Sequence, residues 1–325
     1  MKKTVFSFGE ILWDILPSET ILGGAPFNFA YRINSLGDTG LMISRLGNDK
    51  LGKEAFEKVK TLGLKTDFLQ FDKQLPTGSV QVAFDEENNP DYYIVPNVAY
   101  DQIELTDALV EAVTGADCLC FGTLAQRAEK SRQTVEQLLE KSAKSMKFLD
   151  INLRKDCYNL QIVTFSLQKA DVLKLNEDEL YQLGRMLDMP DASIPQLCEE
   201  LLNKWSLKYC LVTLAENGAF VASKDGESVY EPGYKVALVD SLGAGDAFSA
   251  GFIHKILRHP SIEQACEYGN MLAALVATSK GATQPVTLEE IEQFRSRECE
   301  RNICGELEKF TNLPPSKYER KQRKS

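Results

Sequence analysis

The feature that most constrains the fold is a regular alternation of short apolar runs and amphipathic segments. Residues 4–8 form a short, mostly apolar run that ends at Gly9, and Pro26 and Gly37 bracket the first helical pattern. Proline is favoured at the start of a helix and glycine just past its end, which predicts a helix over 26–36. Strands that alternate with helices form a parallel sheet with helices on both faces. The sequence therefore predicts an α/β fold.

The same patterns place further elements along the chain. The predicted strands are 41–47, 117–122, 147–151, 172–175, 209–213 and a short strand edge at 236–239. The predicted helices are 52–63, 131–145, 177–187, 245–258, 262–279 and 287–296. No linker of low complexity and no internal repeat interrupts this series.

One stretch breaks the rhythm. The runs GSVQVAF (78–84) and DYYIV (91–95) are extended patterns around the polar turn DEENNP. They predict an antiparallel hairpin that projects from the sheet as a flap or small subdomain. Such a flap covers a ligand site or pairs with a second subunit through its edges.

Charge and cysteine usage exclude several classes of protein. The 325-residue chain has a net charge of −10, which argues against nucleic-acid and anionic-membrane partners. No apolar stretch reaches the ~18–20 residues that cross a bilayer, and the first residues lack a signal-peptide pattern. The eight cysteines form no C-x-x-C pair and are interpreted as reduced thiols. We expect a cytoplasmic protein whose basic end, KYERKQRKS, is a solvated, mobile terminus.

A glycine-rich turn carries the chemistry. Gly243, Ala244 and Gly245 precede Asp246 at the start of a predicted helix. Glycines let backbone amides approach an anion, and a helix N-terminus adds a favourable dipole. A carboxylate at such a turn repels a bound phosphate, but it suits a group that takes a proton from an attacking hydroxyl. An Asp that merely caps the helix is an equally good interpretation of the spacing alone.

The same residues resemble a known family. GAGDAF (243–248) resembles the signature of the ribokinase-like, PfkB-type carbohydrate kinases, and GGAPFNFA (23–30) resembles their sugar-binding segment. The resemblance covers roughly 4–296. It implies a ribokinase-like three-layer fold with a mostly parallel sheet flanked by helices, plus a small β flap or lid. It also implies one kinase domain over 1–300, with lid segments at about 11–24 and 76–100, ahead of a basic tail over 305–325.

Matching positions imply catalytic and sugar-binding roles. Asp246 would be the general base, and the amides of Gly243, Ala244 and Gly245 would form the anion hole for the γ-phosphate. The implied sugar-binding residues are Asp14, Gly24 and Asn28, with Asn152 and Arg154 from a D-x-N-x-R pattern like that of fructokinases and ketodeoxygluconate kinases. From the residues alone, Asn28 could equally lie on a polar helix face, and Arg154 could form a surface ion pair.

Other matches concern the metal. LNEDEL (175–180) resembles the N-x-x-E motif, which would place Asn176 and Glu179 near Mg²⁺, with contacts through water. The same spacing is a capping box, and the residues leave both roles open. Asp240 and Gly281 resemble the monovalent-cation loop of some members, which implies a potassium site.

Nucleotide-binding positions follow from the T-x-G-x-x-G segment. Thr213 and Gly218 match it, but Ala215 stands where glycine is usual, and its methyl group needs an allowed backbone conformation. Asn270 matches the adenine-pocket asparagine, and Gly281 belongs to the same nucleotide-binding set.

The resemblance implies ATP-dependent phosphorylation of a primary hydroxyl of a sugar. Fructose is favoured because GEILWD, GGAPFNFA and DYYIVPNVAYDQI resemble bacterial fructokinases. A ribokinase, a 2-keto-3-deoxygluconate kinase and a catalytically silent sugar-binding homologue are the alternatives. A NAD-dependent oxidoreductase is disfavoured because residues 9–37 lack G-x-G-x-x-G. The implied partners are the sugar, ATP and a second copy of the chain bound through the lid.

Overall fold

The computed structural model describes residues 1–16, 19–84 and 90–313. The chain divides into two compact units, of which unit 1 comprises Met1–Phe148 and Asn152–Lys169. Unit 2 comprises Leu149–Ile151 and the chain from Ala170 onward. Residues 85–89 of the predicted polar turn DEENNP (85–90), and the predicted basic tail from position 314 onward, lie outside the described residues. The predicted extent of a single kinase domain, 1–300, stays a prediction.

Unit 1 is built on two sheets. Its strands are β1 (Thr4–Phe8), β2 (Leu12–Ile15), β3 (Thr20–Gly23), β4 (Thr39–Gly47), β5 (Leu69–Asp72), β6 (Gly78–Phe84), β7 (Pro90–Ile94), β8 (Cys118–Phe121) and β9 (Met146–Asp150), the last divided between the units. Its helices are α1 (Ala25–Ser35), α2 (Lys50–Thr61), α3 (Asp107–Thr114), α4 (Glu129–Lys141) and α5 (Leu160–Lys169). The larger sheet has the order β9-β8-β1-β4-β5, and β1 runs parallel to both β4 and β8.

The smaller sheet of unit 1 has the order β3-β2-β6-β7. β6 and β7 pair antiparallel, with Val80 opposite Ile94, which confirms the predicted hairpin. β2 also pairs with β6 in parallel, with Leu12 opposite Gly78. This pairing joins the two predicted lid segments into one sheet, because β2 and β3 lie in the first segment and β6 and β7 in the second.

Helix α1 follows the predicted punctuation. Gly24 caps it with φ 116°, Pro26 lies in its first turn, and Gly37 follows its end with φ 86°. Both glycines adopt backbone angles that other residues seldom accept, and a proline needs no amide partner in a first turn. Phe27 packs in a core cluster with Met42, among other residues. Helix α1 is thus packed against the core of unit 1 directly after β3 of the small sheet.

Unit 2 contains a sheet, a two-stranded ribbon and a helical end. Its further strands are β10 (Val172–Asn176), β11 (Tyr209–Thr213), β12 (Ala219–Ser223), β13 (Ser228–Glu231), β14 (Gly233–Tyr234) and β15 (Arg301–Asn302). Its helices are α6 (Glu177–Met186), α7 (Ile194–Trp205), α8 (Ala244–Ile256), α9 (Ile262–Ala277) and α10 (Leu288–Arg295). The sheet order is β13-β12-β11-β10-β9, with β10 and β11 parallel and β12 antiparallel to both its neighbours. Mostly parallel strands flanked by helices confirm the predicted fold class.

One predicted element is wrong. Residues 236–239 form no strand and belong to a loop after β14. The amides of Val239 and Asp240 both donate to one carbonyl, that of Ala277, at 2.9 and 3.3 Å, so no ladder with a neighbouring strand forms. Leu238 and Val239 are 70% and 61% exposed. Apolar composition alone therefore predicted a strand where the backbone pairs with no neighbouring strand.

The eight cysteines all lie in the described residues and are free thiols. Six are buried, and Cys299 and Cys304 are half-buried. Across residues 1–16, 19–84 and 90–313, no helix is both long and apolar enough to cross a membrane.

Candidate active site

The turn that starts α8 has a conformation that requires glycine. Gly243 caps the helix with φ 77°, and a Cβ there would lie 2.4 Å from the Cβ of Ala282. Asp246 follows in the first turn and is buried. The amide of Ala244, one of the predicted anion-hole donors, donates to the carbonyl of Ser241 at 3.2 Å. The turn therefore brings a buried carboxylate and a helix N-terminus together, as predicted.

A buried ammonium lies beneath this turn. Lys174 in β10 is 5% exposed, and its Nζ lies 3.1 Å from Oδ1 of Asp150. The hydroxyl of Ser249 donates to Oδ2 of the same carboxylate at 3.0 Å. A Cβ on Gly245 would lie 3.3 Å from the ammonium. The group is thus held directly under the backbone of the helix start.

Charge compensation explains how Lys174 remains ionised while buried. Burial alone would lower the pKa of Lys174, but the carboxylates of Asp150, Glu179 and Asp246 outweigh it and hold that pKa above its usual value. The family resemblance assigned no role to Lys174 or Ser249, and Asp150 entered it only as the first residue of the D-x-N-x-R pattern. The sequence signal that could have identified this buried ammonium is the single lysine in the mostly apolar strand VLKLN.

A cavity of about 350 Å³ opens beside the helix start. The last residues of the parallel strands β10 and β11, Asn176 and Thr213, pair with each other at its edge. The lining residues are Asn176, Glu177, Asp178, Thr213, Leu214, Ala215, Gly218, Ser241, Ala244, Gly245, Phe248, Asn270 and Ala273. Ligands bind in open α/β sheets at this end of the strands. The structure thus brings six of the predicted residues to one cavity.

Three residues of the loop over 214–218 line one side of the cavity: Leu214, Ala215 and Gly218. Ala215–Asn217 form a 3₁₀ turn, and Ala215 has φ 49°, in the left-handed region. Gly218 has φ 93°, and a Cβ there would lie 2.0 Å from the carbonyl oxygen of Glu231. Gly218 is therefore required by close packing as well as by its backbone angle.

Asn270 in α9 also lines the cavity. Its amide nitrogen donates to the carbonyl oxygens of Glu231 and Pro232, at 3.4 and 2.9 Å. These bonds hold the turn between β13 and β14 against α9. The contact of Asn270 with adenine stays a prediction.

Asn176 and Glu179 form a capping box at the start of α6. The side chain of Asn176 accepts from the amide of Glu179 at 2.8 Å, and Glu179 accepts from the amide of Asn176 at 2.9 Å. The two side chains therefore stabilise the helix start, and Asn176 also lines the cavity. Their predicted metal role is not tested by this geometry.

Asp240 links two loops of unit 2. Its carboxylate accepts from the amide of Leu242 at 3.0 Å and from that of Gly281 at 2.9 Å. Gly281 has φ 85° and does not line the cavity. The structure thus places the two residues of the predicted cation loop in contact.

A polar cluster in unit 1 gathers three of the predicted sugar-binding residues. Burial raises the pKa of Asp14 in β2, and the charge of Arg154 partly opposes this rise. Arg154 lies 3.5 Å from the Oδ1 of Asn152, whose φ is 42°. A Cβ on Gly23 would lie 2.8 Å from the Asp14 carboxylate, so the glycine permits this position. The cluster joins a carboxylate, an amide and a guanidinium.

Gly24 and Asn28 lie at the start of α1 in the same unit. The amide of Asn28 donates to the carbonyl of Gly24 at 2.9 Å, and the side chain of Asn28 is buried. A Cβ on Gly24 would lie 2.4 Å from the carbonyl oxygen of Glu10. The helix start is therefore packed closely against the segment before β2.

Comparisons with known proteins cover most of the chain. The model of a family described as pfkB family carbohydrate kinase matches residues 18–289. Fructokinase-1 of Oryza sativa subsp. japonica is 28% identical over 306 residues, spanning 86% of this chain and 93% of that protein.

Solved structures share the fold. An uncharacterized sugar kinase of Pyrococcus horikoshii superposes with a TM-score of 0.77 at 26% identity, over 89% of this chain and 96% of that one. A fructokinase of Xylella fastidiosa, solved with bound ATP, superposes with a TM-score of 0.78 at 23% identity, over 90% of this chain and 98% of that one. The comparisons confirm the predicted fold class and the resemblance seen in the sequence.

Proposed function

The chain belongs to the pfkB family of carbohydrate kinases, and we propose that it transfers the γ-phosphoryl group of ATP to a primary hydroxyl of a sugar, with fructose as the first candidate. The observation that carries this proposal is the position of Asp246. Its buried carboxylate lies in the first turn of α8, where the helix also lines the 350 Å³ cavity.

In the proposed reaction, one part of this turn accepts a proton and another part stabilises the transferring phosphoryl group. Asp246 accepts the proton of the sugar hydroxyl as its oxygen bonds to the γ-phosphorus and the bond to the ADP oxygen breaks. The N-terminus of α8 and the amides from Gly243 to Gly245 stabilise the charge on the transferring group. The Ala244 amide must leave the Ser241 carbonyl to take part, since it donates there in this structure.

ATP is proposed to occupy the cavity of unit 2. Its apolar lining, including Phe248 and Ala273, suits a base, and Thr213 and Gly218, which also line it, are the proposed contacts of the phosphates. Asn270 and Gly281 are the other two residues proposed to bind the nucleotide.

Magnesium and potassium are part of the proposal. Asn176 and Glu179 supply oxygen ligands of the type Mg²⁺ prefers, and their use in the capping box favours contact through water. Bound Mg²⁺ would neutralise charge on the phosphate oxygens. Asp240, which bridges the loops at Leu242 and Gly281, is the proposed residue for a monovalent cation.

The sugar is proposed to bind the polar cluster of unit 1. The Asp14 carboxylate accepts from hydroxyls, and the amides of Asn28 and Asn152 both accept and donate. Gly24 permits close approach, and Arg154 offers a charged donor. Fructose is favoured by the fructokinases among the relatives. Ribose and 2-keto-3-deoxygluconate are the next candidates, and a catalytically silent sugar-binding protein is the remaining alternative.

The small sheet β3-β2-β6-β7 is the proposed lid and dimer surface. Tyr93 in β7 is 56% exposed, and an edge strand such as β7 has unpaired backbone groups that suit a second copy. Light scattering at micromolar concentration tests this part, and a monomer would contradict it. We also propose that the protein is cytoplasmic.

The decisive experiment measures ADP release from MgATP with fructose, ribose, 2-keto-3-deoxygluconate, mannose, glucose and adenosine. The Asp246→Asn variant runs alongside and should lose at least about 100-fold in kcat while it binds sugar as tightly as the wild type. Activity with a different sugar would change the assigned substrate and leave the proposed mechanism unchanged. Near-full activity in Asp246→Asn would refute the proposed base, and sugar binding without turnover in the wild type would favour the silent homologue.

A further inference from the structure

Residues 300–310, the strap, lie beyond the segment that the family model matches. We infer that the strap holds the nucleotide loop, residues 214–218, in the conformation that binds ATP. This inference rests on the proposed function, because it assumes that ATP occupies the cavity of unit 2.

The strap is firmly attached to unit 2. β15 pairs antiparallel with β14, with Asn302 opposite Gly233. The guanidinium of Arg301 lies 2.9 Å from Oε1 of Glu231 and stacks 3.3 Å above the ring of Tyr234. Further along, Leu307 is fully buried. The strap is thus a rigid support rather than a loose terminal segment.

Two bonds connect this support to consecutive carbonyls of the nucleotide loop. The side-chain amide of Asn302 donates to the carbonyl of Glu216 at 3.0 Å. The hydroxyl of Tyr230 donates to the carbonyl of Asn217 at 2.7 Å and accepts from the amide of Cys304 at 2.8 Å. The strap therefore acts on the loop directly through Asn302 and indirectly through Tyr230.

The loop needs such support because of Ala215. Its φ of 49° lies in the left-handed region, which an alanine occupies at a cost that glycine does not have. Glycine is usual at this position in the T-x-G-x-x-G pattern that the sequence resembles. Fixing the next two carbonyls selects the strained conformation, in which Ala215 and Gly218 line the cavity. Asn302 and Tyr230 are therefore positioning residues that act on the nucleotide through the loop.

The test measures ATP affinity by calorimetry and does not depend on turnover. Asn302→Ala should weaken ATP binding about 3- to 10-fold, the range expected for one lost hydrogen bond, and leave sugar affinity unchanged. Amide hydrogen exchange in residues 214–218 should accelerate in the same variant. Asn312→Ala is the matched control, because Asn312 lies nearby in the chain but donates to Glu263 at 2.8 Å. The control should bind ATP like the wild type.

A second variant separates the strap's effect from a general loss of stability. Ala215→Gly removes the cost of the left-handed conformation, so Asn302→Ala should weaken ATP binding less than about 2-fold in the Ala215→Gly background. An equal loss in both backgrounds, or no loss in Asn302→Ala alone, would overturn the inference. If the wild type itself bound no ATP, the proposed function would fail first and the inference with it, which distinguishes the two failures.

Discussion

Lys174 shows how much a single buried charge depends on its partner. Its ammonium is held by Asp150 at 3.1 Å and is almost completely removed from solvent. Lys174→Met should lower the free energy of unfolding by about 3–5 kcal/mol, because it leaves the Asp150 carboxylate buried without its cation. Urea denaturation followed by circular dichroism measures this change.

The double variant provides the control. Lys174→Met combined with Asp150→Asn removes both charges, so its loss of stability should be less than half that of Lys174→Met. If the double variant instead lost as much stability as Lys174→Met and Asp150→Asn lose in sum, the two residues would act independently, which would contradict the contact described here.

At the residue scale, the sequence predicts the groups that lie within one motif. Asp246 and its glycines are adjacent in the chain, and the structure places them at one helix start. Lys174 and Ser249 escaped prediction because they reach Asp150 from 24 and 99 positions away. Such residues come together only when β9, β10 and α8 pack against one another.

At the scale of elements, the turn into α8 is sensitive to a single added methyl group. Gly243 combines φ 77° with a Cβ position 2.4 Å from Ala282, while Gly226 has φ 85° and nothing within 4 Å. Gly243→Ala should cost about 2–4 kcal/mol of folding stability and most of the activity, since both strain and overlap apply. Gly226→Ala should cost about 1 kcal/mol and leave activity intact.

Thermal unfolding and ADP release on the two glycine variants check this comparison. Equal losses of stability would show that the backbone angle alone matters and that contact with Ala282 does not.

Element boundaries followed local signals where those signals existed. The predicted helix at 26–36 became Ala25–Ser35 because proline and glycine mark its ends. The predicted strand at 236–239 failed, and α3, α5 and α7 were not predicted, because propensity within a segment does not report what packs against it. The antiparallel strand β12 likewise departs from the expected parallel alternation.

For the whole molecule, the buried pair of Glu231 and Arg301 should make stability depend on pH. Burial raises the pKa of Glu231 to about 7 from its usual 4.5, against the opposing charge of Arg301. The native protein then binds a proton that the unfolded chain releases between about pH 4.5 and 7, so the free energy of unfolding falls as pH rises through that window. The contribution is present below pH 4.5, is lost above about pH 7, and amounts to at most about 3 kcal/mol.

Glu231→Gln isolates this contribution. Its free energy of unfolding should vary less between pH 5 and 7.5 than that of the wild type, as measured by urea denaturation at both values. Parallel pH profiles would show that Glu231 is already ionised at pH 5.

The division of the chain into two units also belongs to this scale, and no sequence signal predicts it. Leu149–Ile151 belong to unit 2, whereas Asn152 onward returns to unit 1 until Lys169. No linker marks these changes, because they follow from long-range contacts rather than from local composition.

The distribution of the eight thiols makes the protein suitable for labelling chemistry. Only Cys299 and Cys304 are partly accessible; Cys299 directly precedes the strap, and Cys304 lies on it two residues after Asn302. A chromogenic thiol reagent should therefore titrate two groups per native chain, and the other six should react at the rate of unfolding. A fluorophore attached at Cys304 would lie beside the contact with the nucleotide loop, and its emission would report ATP occupancy without a coupled enzyme assay.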